Sequence, residues 1–133
     1  MSTLKVNTIQ DTSGASSSTP AQIEQGRAKA WLNMNAESPE AIRDSFNVSS
    51  FTDNGSGDFT INFTTALANA NYAVVNAASR GENSRTDPCN WGAVHTKTTS
   101  GFGMGIWQTN SALSSTSSRA TLVLLFDIVV FGD

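Results

Sequence analysis

His95 is the only histidine of this chain and Cys89 its only cysteine. Nucleophilic catalysis needs a nucleophile within hydrogen-bond reach of a base that a third group orients. These two stand six positions apart, with Pro88 beside the cysteine. That spacing across the start of a strand does not bring them together, and no Gly-x-Ser-x-Gly elbow occurs. An exposed strand histidine and an unreactive cysteine are expected. One Cys and one His also fall short of a zinc site. Asp53, Asn54 and Asp58 surround a Gly-containing turn; calcium usually takes more carboxylates, so turn chemistry accounts for them. Glycoside hydrolysis uses two carboxylates about 5–10 Å apart. Of the 11 acidic residues, Glu24, Glu37 and Glu40 lie in the helix and first turn, and none has a context that marks it as acid or base. The chain is therefore read as no enzyme, with no cofactor and no metal.

Aromatic side chains are the better candidates. Trp31, Tyr72, Trp91 and Trp107 each combine a broad apolar face with a polar tip and can stack on sugar rings, although most tryptophans in a small sandwich are core. Trp91 follows a polar loop, and Trp107 shares the parity of Gly103 and Gly105. With Arg85 and Asn83 from that loop, they form the candidate glycan contact. Gly101-Phe102-Gly103-Met104-Gly105 is no phosphate loop, because no helix follows it. It alternates like a strand, and its glycines leave one face bare. Another sheet, another subunit or a flat ligand must approach that face, and packing within the protein is the first expectation.

The elements that carry these residues follow from composition and period. The 133 residues fit one domain. Charged residues are 14%, and 8 Lys+Arg against 11 Asp+Glu leave a net charge of −3; Ser, Thr, Asn and Gly take their place. The cations are scattered, so neither a phosphate backbone nor an anionic membrane is addressed. No apolar leader is visible. A lone cysteine allows no intrachain disulfide, and synthesis in a reducing compartment is expected. The apolar run Leu122–Phe131 is too short for a bilayer span and reads as a buried strand, with no membrane insertion.

Residues 1–27 form an N-terminal arm and linker. Leu4-Lys5-Val6-Asn7-Thr8-Ile9 reads as extended, and Asp11–Thr19 as a loop. Thr19, Pro20 and Gln22 have the pattern of a capping box with proline at the first helical position, so one short helix ending at Gly26 is expected. Leu4, Val6 and Ile9 are too few apolar residues to fold alone, so the segment is either disordered or ordered by a neighbour. Residues 28–133 read as an antiparallel β-sandwich or jelly roll, an all-β fold with strands about ten residues apart. Ala28, Ala30, Leu32 and Met34 alternate with polar positions and Trp31. Residues 42–48 alternate as one strand with Ile42, Asp44, Phe46 and Val48 on one face, and a bulge is expected at Ser49-Ser50-Phe51. Asp53–Gly57 is a hairpin loop. Phe59, Ile61 and Phe63 point inward. Tyr72–Ala78, Trp91–Thr96 and Phe102–Thr109 are further strands. Thr121–Phe131 is apolar on both faces except at Asp127, so cover on both sides is expected.

The order of several segments resembles small bacteriophage fibre and tail-fibre-like proteins of marine and cyanobacterial phages. These segments are Leu4–Gly14, Gly26–Asn35, Ile42–Ser50 and Thr52–Gly55. The resemblance covers about the first 65 residues; it departs at Met34 and Asn35-Ala36, where the family pattern has Phe and an Asn-Gly turn. It implies a virion structural protein assembled in the host cytoplasm, usually a homotrimer. Its front, with Leu4, Val6 and Ile9, would attach to other virion proteins or build the trimer axis, and its rear, with Trp91, Trp107, Arg85 and Asn83, would meet a host-surface glycan or protein receptor. Open alternatives are a neck or head decoration fibre without a receptor role, a monomeric carbohydrate-binding module and, last, a depolymerase tailspike.

Overall fold

The computed structural model describes residues 2–36, 39–55, 57–79, 90–108, 118–119 and 125–132. Within the arm, β1 (Ile9–Gln10) pairs antiparallel with β2 (Ser17–Ser18). The stretch expected as a plain loop is thus a small hairpin, and Asp11 is the reason. Its Oδ1 accepts from Ala15 N at 2.9 Å and its Oδ2 from the Ser13 hydroxyl at 3.0 Å, so the side chain builds the turn. The Ser13 hydroxyl, then backbone amides, hold this carboxyl below the usual aspartate range. Helix α1 (Pro20–Gly26) starts as its residues dictate. Thr19 Oγ1 accepts from Gln22 N at 3.2 Å, and Gln22 Oε1 accepts from Thr19 N at 2.8 Å. The helix buries none of its residues.

The strands that follow are β3 (Ala30–Asn35), β4 (Ala41–Phe46), β5 (Val48–Gly55), β6 (Asp58–Phe63), β7 (Ala73–Ser79), β8 (Asn90–Thr98), β9 (Gly101–Gln108), β10 (Ser118–Arg119) and β11 (Leu125–Phe131). They make two antiparallel sheets. One has the order β4-β3-β11-β7; the other runs β5-β6-β9-β10, with β8 also on β9. The fold is all-β and sandwich-like. Its core is the alternate residues of four strands: Ala30, Leu32 and Met34; Phe126, Ile128 and Val130; Phe59, Ile61 and Phe63; Phe102, Met104 and Ile106. Tyr72 joins them at 1% exposure, which removes it from the candidate sugar platforms. Its hydroxyl donates to Gly101 O at 2.7 Å, with Thr98 O at 3.1 Å. Its ring packs on Phe63 and Phe102 with centroids 5.7 and 6.3 Å away. Burial pushes its phenol pKa up. Among the described residues, no helix is long and apolar enough to cross a membrane.

Two strand expectations need correction. Residues 42–48 are two strands in different sheets. Asn47, at φ 55°, turns the corner between them. Its side chain clasps neighbouring backbone: Nδ2 donates to Lys29 O (3.0 Å) and Thr65 O (3.1 Å), and Oδ1 accepts from Thr65 N (2.8 Å). Asparagine is among the few side chains that accept this left-handed conformation. A bulge between Asn33 and Met34 leaves Arg43 without a register partner, so Ile42 packs against the core while Phe46 stays 51% exposed. The bulge expected near Ser49 is present: the register of β5 on β6 shifts between Val48 and Ser50. On β11 only one face is fully buried. Asp127 is exposed on the other, and Leu125, Val129 and Phe131 are half-buried, so double cover does not hold there. Residues 121–124 of that expected strand lie outside the described residues.

Candidate functional site

The first candidate surface is the arm. Leu4 is 84% exposed, Val6 39% and Ile9 54%, and Ile23 of α1 is 45% exposed. With Lys5, Asn7 and Pro20 they line an open cavity of about 580 Å³. Apolar side chains converge from the extended segment and the helix, yet none of the four is buried. Where arm meets sandwich, Glu24 accepts from Arg27 at 2.9 Å and from Lys29, and Lys29 N donates to Val130 O at 2.8 Å. The Lys29 hydrogen bond, more than the two positive charges, holds the Glu24 carboxyl below its usual range.

A second surface covers the outer face of the first sheet. Phe46 pairs with Trp31, Trp31 with Val129 and Val129 with Val75. These four residues therefore form one row across all four strands. Phe46 and Val75 are 51% and 58% exposed, and Trp31 and Val129 are half-buried. The next row, two residues along each strand, is Asp44, Asn33, Asp127 and Ala77. There Asn33 Nδ2 donates to Asp127 Oδ1.

The third surface is the glycine face of β9. What approaches it is the protein's own histidine. A Cβ at Gly103 would lie 2.4 Å from His95 Cε1. The His95 ring spans the glycine with Nε2 3.2 Å from Asp58 Oδ1 and Nδ1 2.9 Å from Thr96 Oγ1. Beside it is a cavity of about 150 Å³ lined by Thr60, Asn62, Thr98 and Ser100. Asp58 thus faces His95, Asn54 Nδ2 donates to Thr60 Oγ1 at 2.9 Å, and Asp53 Oδ1 accepts from Gly55 N at 2.7 Å. Those three side chains are spent on turn and neighbour contacts.

Trp91 and Trp107 are register partners on β8 and β9, and Trp107 also stands opposite Arg119 of β10. Asn83, Arg85 and Cys89 lie outside the described residues. The structure brings together one carboxylate pair that spacing did not reveal. Partial burial, then the charge and hydrogen bond of Asp53, raise the pKa of Glu40. A like charge beside a carboxyl favours its neutral form. Of the surfaces, the Phe46–Trp31–Val129–Val75 row was missed. The parity of β3 puts Trp31 outward once Leu32 and Met34 are inward, but the bulge at Arg43 hides the matching parity of Phe46. Compared with protein-family models, with curated proteins and with solved structures, the chain matches none.

Proposed function

We propose that the chain is a non-enzymatic assembly and adhesion subunit, a homotrimeric fibre or tail-fibre protein of a phage particle. Its arm docks into neighbouring copies and virion proteins, and its sandwich is displayed toward the host surface. One observation carries this reading. Leu4, Val6, Ile9 and Ile23 stay exposed around one cavity while α1 buries nothing. A seven-residue helix is marginal alone, and a contiguous exposed apolar cluster marks an interaction surface. The order of the N-terminal segments and the low-charge surface support the virion setting. Residues 1–27 are the attachment unit and 28–133 the displayed domain. Light scattering on the full chain and on a variant lacking residues 2–19 tests it. The expected masses are three times 14.0 kDa for the full chain and a folded single chain for the variant. A full chain that stays monomeric at high concentration overturns self-assembly.

A further inference from the structure

We propose that the outer face of the β4-β3-β11-β7 sheet is a binding platform for a neutral oligosaccharide. Trp31 and Phe46 form its stacking surface, and Asn33, Asp44 and Asp127 its hydrogen-bonding edge. The inference rests on the host-contact half of the reading above and gives that contact a place and a ligand class.

Register carries the argument. The apolar row crosses three strand gaps, about 14 Å at the usual spacing, and the polar row runs parallel to it about 7 Å away. A pyranose has the matching pair of features: an apolar C–H face that lies on aromatic rings, and an edge of hydroxyls that act as donor and acceptor. Carboxylates and amides are the side chains that pair with such hydroxyls. The Asn33–Asp127 bond holds both groups in place and leaves Asn33 Oδ1 and Asp127 Oδ2 as acceptors. Asp44 is exposed one strand away.

Charge selects the occupant. Neither row contains a cation; Arg43 sits at the margin, where the bulge leaves it without a register partner, and Arg27 and Lys29, which line a cavity beside Phe46, are both paired with Glu24. Two carboxylates disfavour uronate- or phosphate-bearing glycans. They equally disfavour an apolar protein face, including a second copy of this one, against which both charges would lose water without a partner. A neutral sugar leaves them hydrated and hydrogen-bonded.

The test is binding of the full chain to immobilised neutral hexose and N-acetylhexosamine di- to tetrasaccharides, with uronate-containing analogues alongside. Mass is measured in the same samples. The wild type is expected to bind neutral probes saturably and uronates less. Phe46→Ala and Asp44→Ala, both at exposed positions, are expected to weaken binding about tenfold or more, with mass and melting temperature unchanged. Three results would overturn the platform: no saturable binding by the wild type, binding that survives both substitutions, or a changed mass in Phe46→Ala, which makes the face an interface between copies. A trimer that binds no sugar leaves the assembly reading standing. A monomer that binds through Phe46 supports the platform and removes the assembly reading.

Discussion

Replacing Leu4, Val6 and Ile9 together with serine separates an assembly arm from a decorative one. In a single chain these side chains are 84%, 39% and 54% exposed, and the surface they line is shared with Pro20 and Ile23 of the arm itself, so their loss removes little packing on the sandwich. The stability of the sandwich is expected to change by no more than about 0.5 kcal/mol. In the proposed assembly the same surface is covered. The three exposed fractions amount to somewhat under two whole aliphatic side chains, and complete burial of each is worth about 1.5–3 kcal/mol. The substitutions therefore remove about 4 kcal/mol of association per arm, close to a thousandfold in dissociation constant. Sedimentation velocity over a dilution series reads the association, and urea unfolding followed by tryptophan fluorescence reads the fold. An oligomer that persists at the wild-type dilution refutes the arm's role. Destabilisation of the sandwich by more than about 1 kcal/mol refutes the premise that these three side chains do not pack on the sandwich.

Other expectations concern the frame that holds the surfaces. Tyr72→Phe is expected to cost about 1 kcal/mol in urea unfolding, a low value because Gly101 O still accepts from Thr98 Oγ1 at 3.1 Å; a loss above about 3 kcal/mol would contradict this. Gly101→Ala drives a Cβ to 2.1 Å from Ile61 O, a backbone atom, whereas Gly103→Ala meets the half-exposed His95 ring. The first is expected to cost about 1–3 kcal/mol by forcing β6 and β9 apart, and the second less, with loss of the His95–Asp58 contact visible in the histidine NMR signals. Equal costs would show that the β6–β9 contact is not the constraint. Glu40 has a raised pKa, so its pairing with Asp53 favours the folded state below the unfolded glutamate pKa and is lost as pH rises through the folded one. Glu40→Gln is accordingly expected to raise the melting temperature slightly at pH 7 and to bring no gain near pH 4. Glu24 behaves oppositely. Its pKa is lowered, so the clasp on Arg27 and Lys29 is complete above the unfolded pKa and loosens as pH falls through the folded one; a lower hydrogen-exchange protection factor at Arg27 in acid is the readout.

Much of the frame is legible in local chemistry. The capping box at Thr19 and Gln22, the inward set Phe59, Ile61 and Phe63, and the bulge near Ser49 all follow from side-chain type and period. These signals act within a few residues, so a linear reading captures them. Phe46 is the instructive failure. Its side of the sheet depends on one unpaired residue, Arg43, and on the corner at Asn47, and the partners that hold this corner, Lys29 and Thr65, are 18 residues away in either direction. Local alternation cannot register a change of sheet.

The candidate surfaces divide along the same line. The apolar arm was evident from composition, because Leu4, Val6 and Ile9 have too few apolar neighbours along the chain to form a core. The row Phe46–Trp31–Val129–Val75 belongs to tertiary structure, since it joins residues up to 98 positions apart through strand register. So does the cover of Gly103 by His95. Sequence alone determined that this chain makes short amphipathic strands with a small capped helix. Which faces met, and which were left open, was decided by hydrogen-bond register between distant strands, because one residue of slip turns every side chain to the opposite face.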